Sequence, residues 1–360
     1  MSIKDKCRFP NLVVFNSVAN DSSPLQDAVN TALEQKLPLR ITGEGSKSFL
    51  YTGDITVPLL TTSDHKGVIE YRPEELVITV RAGTKLTELR DITAEHGQMW
   101  ACDPPLFDGR GTVGGAIASG WCGPGRPWYG TVRDSLLGVE MINGYGELLR
   151  FGGKVIKNVA GFDVARLLGG SQGTLGVLLS ASLKLLPIPE QTRSIATSLN
   201  SQECTSLISQ YTRKTSSLSG TCYFDGKLYL RFTGVAAAVN RDMKAFESNA
   251  EIDPQFWQKL RDHTLPFFAD DKALWRISLS RNSSFHDEDT QELEEFLVEW
   301  DGSLLWCKTQ NSTRPTISTK PYAIRSFRNV KHETSQSSKY AHRLKHAFDP
   351  QRIFNPGVEL

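Results

Sequence analysis

Three stretches could do chemistry with bare backbone: Gly43-Glu44-Gly45-Ser46-Lys47, Gly109 to Gly120, and Gly169 to Gly176. Glycine accepts positive φ and has no Cβ, so such runs can turn several main-chain N–H groups toward one anion at close range. A flat, phosphate-bearing cofactor suits them. Of the 29 glycines, 18 lie between residues 105 and 176, more than turns alone require, as expected if a ligand lies along the backbone over a long path.

The first run follows a strand expected over Leu37–Thr42 and reads as a diphosphate loop. It is not a Walker A motif, because Ser46 stands where glycine is needed, and it is not GxGxxG, because Ser48 replaces the third glycine. Glu44 must point away from a phosphate. Gly109, Gly111 and Gly114 do spell GxGxxG, with Asp134 20 residues beyond. That run leaves Asp103-Pro104-Pro105, however, and prolines do not fit the central strand that a nicotinamide site needs.

Side chains for proton chemistry are sparse. His263 and His286 are isolated, and His342 with His346, although at i, i+4, lacks the HExxH context, so an exposed helix face explains the pair. Cys7, Cys102, Cys122, Cys204, Cys222 and Cys307 never form CxxC, which argues against an iron–sulfur cluster or a zinc site. With 41 basic and 40 acidic residues and a net charge of +1, no basic field exists to attract nucleic acid. Neither a run of 18 apolar residues nor a signal-peptide pattern in MSIKDKCRFPN is present, so a cytoplasmic location is expected.

The positioning elements follow from periodicity. Pro24–Lys36 reads as a helix capped by Ser22 or Ser23, with Leu25, Ala28, Val29, Ala32 and Leu33 on one face. Glu75–Thr84 reads as a strand whose Thr84 caps a helix over Lys85–His96. Leu136–Ile142 and Glu147–Phe151 form a hairpin through Asn143-Gly144-Tyr145-Gly146. Val164, Leu167 and Leu168 keep helical spacing while Val177, Leu179, Ala181, Leu183 and Leu185 alternate, so a helix hands over to a buried strand across Gly169–Gly173. Pro187 and Pro189 close this part. Beyond them, Gly220–Phe232 is a hairpin turning at Asp225-Gly226, and Ala236–Ser248, Ala273–Leu279, Gln291–Trp300 and Ser303–Lys308 continue a mixed pattern. Trp257, Phe267, Phe268, Trp275 and Trp306 could line a pocket, but suit a core better. Tyr340–Phe348 is a last helix, stopped at Asp349-Pro350.

The wording RFGGKVIKNVAGFDVARL from Arg150, then GSQGTLGV from Gly170 and LKLLP from Leu183, resembles the vanillyl-alcohol-oxidase-type (PCMH-type) FAD-binding family. Within it, nearly end to end, it is most similar to the smaller FAD-binding subunit of bacterial glycolate oxidases. The resemblance implies an α+β protein: a PCMH-type FAD-binding domain of two α/β subdomains over 1–188, a smaller antiparallel α+β cap over 189–315, and a segment over 316–360 returning to the first domain. It implies non-covalent FAD, since the diphosphate loop has no histidine for a covalent link. It assigns Gly43, Glu44, Gly45, Ser46 and Lys47 to the diphosphate, and Gly111, Thr112, Val113, Gly114 and Gly115 to a second flavin loop. Thr131, Asp134, Asn158, Gly173, Thr174, Gly176, Val177 and Asn355 are further contacts; Arg133-Asp134 can equally be an ion pair, and Lys157-Asn158 can equally brace a loop.

Relatives that oxidise D-2-hydroxy acids carry a His-x-Asp-Gly-Asn-x-His motif. It is absent here, and no catalytic base is identified. The expected role is therefore to hold FAD in a complex oxidising glycolate to glyoxylate, with a larger FAD-binding subunit supplying the base and an iron–sulfur subunit taking the electrons. Membrane contact, at the inner face of the plasma membrane, would come only through those partners. Two other readings stay open: a cofactor-free structural subunit, and a stand-alone hydroxy-acid oxidase.

Overall fold

The computed structural model describes residues 21–51, 53–153, 163–200, 208, 212, 214–244, 250–280, 293, 295–309, 313–317, 321, 323–328 and 339–358. Asn158, Lys157 and His286 lie outside them. The chain forms two units: residues 1–121, 131–188 and 335–360 make the first, and residues 122–130 and 189–334 the second. Cys122–Gly130, which the sequence places with the first domain, thus packs in the second.

In the first unit, helix α1 (Ser23–Gln35) buries Leu25, Val29 and Ala32, the stripe that the spacing marks. They pack with Leu39, Leu60, Ile142, Val177, Leu179, Ile353 and Phe354 in one apolar cluster, each large aliphatic side chain contributing about 1.5–3 kcal/mol by leaving water. Strands β1 (Arg40–Thr42) and β2 (Leu59–Thr61) pair in parallel, and Leu39 bridges to Phe354 in the same sense. The C-terminal tail is thereby built into the first unit.

A second sheet has the order β3-β4-β8-β6-β7, all antiparallel, from β3 (Val68–Arg72), β4 (Val77–Arg81), β6 (Leu136–Ile142), β7 (Leu148–Gly152) and β8 (Val177–Lys184). β5 (Gln98–Met99) and β9 (Leu186–Pro187) form a short separate pair. Central β8 is buried along both faces, and Ser182, which points away from the alternating apolar set, is satisfied by Thr79 Oγ1 at 2.9 Å. The β6–β7 turn closes because Asn143 Oδ1 accepts from the backbone N–H of Tyr145 (2.9 Å) and of Glu147 (3.0 Å). Helix α2 (Leu86–Ala94) starts one residue later than its expected cap: Lys85 holds the cap position, while the Thr84 hydroxyl accepts from Gly67 N–H at 2.9 Å.

The second unit is one antiparallel sheet of order β13-β10-β12-β11-β15-β16-β14-β17. Its strands are β10 (Gln191–Ser198), β11 (Leu218–Phe224), β12 (Lys227–Gly234), β13 (Ala250–Glu251), β14 (Leu274–Ser278), β15 (Glu295–Glu299), β16 (Leu304–Lys308) and β17 (Ala323–Arg328). The β11–β12 hairpin turns at Asp225 (φ 52°) and Gly226 (φ 66°), the left-handed pair that matches strand twist. Ile195, Leu230, Phe232, Trp275, Ile277, Val298 and Leu305 share a core with Val239 and Met243 of the helix Ala236–Met243. Trp257, Phe267, Phe268 and Trp306 are buried as well.

Candidate functional site

Strand β1 ends at Thr42 and releases the chain into Gly43–Lys47, with Gly45 at φ 70°. No strand or helix consumes this loop's donors: among the described residues the backbone N–H groups of Glu44, Gly45, Ser46 and Lys47 have no acceptor. Four successive unsatisfied donors on a turning backbone make a nest for an anion. The loop borders a cavity of about 470 Å³, a size typical of ligand sites, which run from about 300 to 1,000 Å³.

Distant segments meet around this cavity. Gly43, Glu44, Gly45, Ser46 and Lys47 line it, as do Thr112, Gly114 and Gly115 at the start of helix α3 (Val113–Ser119), Gly173 and Gly176 from the turn before β8, and Asn355 from the tail. Each glycine run is held close by its neighbour. Gly114 N–H donates to Ala82 O at 2.7 Å, and a Cβ there would meet Ala82 Cβ at 2.8 Å. A Cβ on Gly173 would meet Asn355 Nδ2 at 2.7 Å. Asn355 joins the pieces: its Oδ1 accepts from Ile41 N–H (2.7 Å) and its Nδ2 donates to Gln172 O (2.6 Å).

Other sequence-assigned residues stand behind the wall instead of lining it. Gly111 packs on α2, its carbonyl accepting from Leu86 N–H at 2.9 Å. Val113 and Val177 are wholly buried core. The hydroxyl of Thr174 donates to Ser171 O (2.7 Å), and its carbonyl accepts from Lys345 Nζ (2.6 Å), which also holds the buried Asp349 carboxylate (2.7 Å). Thr131 and Asp134 form a capping box, with the Asp134 carboxylate accepting from Thr131 N–H (2.7 Å) and Oγ1 (2.8 Å). Arg133 donates through Nε to Gly169 O at 2.7 Å. These side chains set the loops in place; family wording alone does not separate wall from support.

Cations give the cavity its sign. Arg40 lines it with Nε buried and unsatisfied, its guanidinium 5.2 Å from the Tyr51 ring centroid. Lys47 lies 5.4 Å from the Phe107 ring centroid, and burial pulls its pKa down to about 8. Glu44 is drawn off by Lys85 Nζ at 3.1 Å, so its charge is compensated. Arg40 was not expected at the site. Its only mark in the sequence is a charge between the apolar Leu39 and Ile41, within a strand otherwise suited to burial.

Bases are scarce here. Among the described residues no histidine and no cysteine lines the cavity. His263, in the second unit, is half-buried and stacks on Phe268, with ring centroids 4.5 Å apart, and burial of the ring, reinforced by Arg328 and Arg276, drives its pKa down to about 3. It stays neutral at physiological pH. His342 and His346 are exposed. Cys102, Cys122, Cys222 and Cys307 are buried thiols, Cys307 pushed up to about 12 by burial. Among the described residues no three His, Cys, Asp or Glu side chains gather as a metal site, and no helix is long and apolar enough to cross a membrane.

FAD fits this donor set: a diphosphate matches the four N–H groups and the two unpaired cations, and the glycines leave room where a Cβ would intrude. Comparison with known proteins names the same cofactor, for residues 17–152 match the FAD binding domain family. In solved structures, alkyldihydroxyacetonephosphate synthase shares the fold at a TM-score of 0.68 and 14% identity, over 94% of this chain and 76% of that one. The α+β architecture is therefore PCMH-type. Glycolate oxidase subunit GlcD of Bacillus subtilis (strain 168) is 34% identical over 128 residues, 36% of this chain and 27% of that protein. Glycolate oxidase subunit GlcE of Escherichia coli (strain K12) is 38% identical over 351 residues, 93% of this chain and 96% of that protein. With likeness over almost its whole length, this chain belongs to the glycolate oxidase GlcE family of FAD-binding subunits.

Proposed function

We propose that this chain is the FAD-holding subunit of a complex that oxidises glycolate, or a close 2-hydroxy acid, to the 2-oxo acid. The observation that carries the reading is the cavity itself, with its unsatisfied Glu44–Lys47 N–H groups, two cations and glycine walls. Bound FAD supplies the two-electron acceptor that this oxidation needs. The chain's own part is to hold the diphosphate on the Gly43–Lys47 backbone and to neutralise it with Arg40 and Lys47. Thr112, Gly114 and Gly115 offer a second contact, and Gly173, Gly176 and Asn355 a third. Asn158 remains a proposed contact from the family wording. Neither histidine nor cysteine lines the wall among the described residues, which supports non-covalent attachment.

The hydroxyl proton must go to a base, and His263, with its pKa of about 3, is too weak a base to serve efficiently at neutral pH. A larger flavin subunit akin to GlcD is the proposed source, with an iron–sulfur subunit beyond it as the electron acceptor. Both associate with this chain, and any membrane attachment is theirs. Purification of the tagged chain from its host tests this: FAD released by acid, co-purifying subunits, and flavin bleaching by glycolate only when they are present. Full-rate bleaching by the isolated chain would favour a stand-alone oxidase, and a colourless chain that refuses FAD would favour a structural subunit.

A further inference from the structure

The second unit holds a group of cations that the cofactor cavity does not use. β15 and β16 join through Trp300, Asp301 and Gly302, at φ 57°, 58° and 79°. For tryptophan that region is rarely visited and must be imposed by its surroundings. Trp300 Nε1 donates to Gly123 O (3.1 Å), Asp301 N–H to Thr221 Oγ1 (2.9 Å), and Ser303 Oγ to Trp300 O (2.6 Å). Two guanidiniums lie by the indole so fixed: Arg126 Cζ is 4.4 Å and Arg276 Cζ 5.0 Å from its ring centroid. Arg276 is also 5.7 Å from the Trp306 ring.

What these guanidiniums lack is an acceptor. Among the described residues neither Arg126 nor Arg276 makes a hydrogen bond or an ion pair, and neither does Arg325, the neighbour of Arg276 across β14–β17. Arg231 is a useful contrast: it also lies by an indole, 5.1 Å from Trp257, but its Nε and Nη2 are bound to Ser219 Oγ (3.2 Å) and O (2.8 Å). That stack is self-contained, whereas the Trp300 stack is not. The nearest counter-charge, Glu299, is buried; burial raises its pKa to about 7, and Trp306 Nε1 already donates to it at 2.7 Å. Burial likewise lowers Arg276 to about 10, against the attraction of Glu299 and with Arg126 and Arg325 adding to the lowering. Arg126 and Arg276 are half-buried and none of their guanidinium nitrogens is sealed from water, so the unpartnered forks are open to an anion that can replace water there with charge-assisted bonds.

The chemistry selects the anion. A guanidinium fork matches a planar carboxylate bidentately, and the flanking Trp300 and Trp306 rings favour a small organic acid over a strongly hydrated inorganic ion. We propose that the second unit binds a small 2-hydroxy or 2-oxo acid, its carboxylate between Arg126 and Arg276 at the Trp300 indole. The choice of acid rests on the hydroxy-acid reading above. The site would let this subunit hold substrate or product although it has no base to turn it over.

Calorimetric titration of the full-length, FAD-loaded chain with glycolate, with oxalate as a non-oxidisable planar probe and with glycolamide as the neutral control, tests it. Saturable binding of both acids and not of the amide is expected. Arg126→Gln and Arg276→Lys should each weaken it about tenfold or more, the range for losing a charge-assisted contact, with the flavin spectrum and melting temperature unchanged. Arg276→Lys keeps the charge, so a folded protein with lost affinity isolates the fork. An FAD-loaded chain with no saturable glycolate binding, with binding indifferent to both substitutions, or with sulfate bound as well as glycolate, overturns the proposal. Arginine-dependent glycolate binding by a chain that takes no FAD would sustain this site while removing the cofactor reading.

Discussion

The two units make polar sites by opposite means. In the first, the wall exists because side chains are missing: Gly43, Gly114, Gly173 and Gly176 bring backbone to the cavity edge, and its donors are main-chain N–H groups. In the second, the Trp300 group exists because large side chains are crowded together, with Arg126 and Arg276 against the Trp300 ring and Trp306 donating to Glu299. An absence-built site is broken by adding atoms, and a presence-built site by deleting them. Substitutions of both kinds probe that difference.

The largest effect belongs to deletion in the second unit. Trp306 is 3% exposed and packs edge-on against Phe268 and Phe327. Trp306→Ala should cost about 3–5 kcal/mol, the usual range for emptying such a site, read as a lowered denaturant midpoint. Next comes addition in the first unit. Gly114→Val places carbon against Ala82 Cβ (2.8 Å) and Ala82 O (3.0 Å), neither of which can swing away. Overpacking of about 1–3 kcal/mol is expected, together with loss of retained FAD in the visible spectrum. If Gly114→Val kept its flavin, the cavity would not be the absence-built site described.

Asn355→Ala tests the joint between segments. It leaves Ile41 N–H and Gln172 O without their partner, at about 1–3 kcal/mol, and should weaken FAD binding without touching the diphosphate loop. Thermal melts with and without added FAD separate the two effects.

These positions also show what a sequence reveals. The glycine runs are local, and the change of period across Gly169–Gly173 is a statement about neighbours, so strands β6, β7 and β8, helix α2 and the three loops could be read directly. Wall and support could not. Thr112 and Thr131 have the same chemistry and both sit at helix starts, yet only Thr112 lines the cavity, because the difference lies in where the next segment packs. Arg40 was missed for the same reason. Least visible was the Trp300 group, whose guanidiniums come from residues 126 and 276; no spacing rule links the short helix Arg126–Tyr129 to a strand so far along the chain.

Lys47 links the wall to pH. Its pKa of about 8 in the folded chain lies below the 10.5 of a free lysine, so between those values the unfolded chain holds a proton that the folded one has released. The resulting destabilisation is fully present below about pH 8 and is relieved as pH rises toward 10.5. The proposed contact with FAD needs the opposite form, the charged ammonium beside the diphosphate. FAD affinity should therefore fall above about pH 8 in the natural chain. In Lys47→Met it should be weaker at pH 7 and flat across the same range, while that variant, without cofactor, melts higher at neutral pH. Equal pH slopes for FAD binding in the two proteins would remove Lys47 from the diphosphate.

The smallest effect should come from Glu44, the one acidic residue in the Gly43–Lys47 loop. Its ion pair with Lys85 is partly exposed, at 25% and 43% for the two side chains, and pairs of that kind contribute only about 0–1 kcal/mol. Glu44→Gln should therefore leave the melting temperature nearly unchanged. Its influence on the cavity is electrostatic: removing the carboxylate frees Lys85 as a further positive charge near the loop. FAD should bind slightly more tightly, by less than about tenfold, and the gain should shrink as salt is raised because screening acts on exposed charges. Fluorescence titration of the apoprotein at low and high ionic strength measures both. A marked loss of FAD in Glu44→Gln would mean that the carboxylate contacts the cofactor directly, and the loop would then have to be assigned to the ribose hydroxyls in place of the diphosphate.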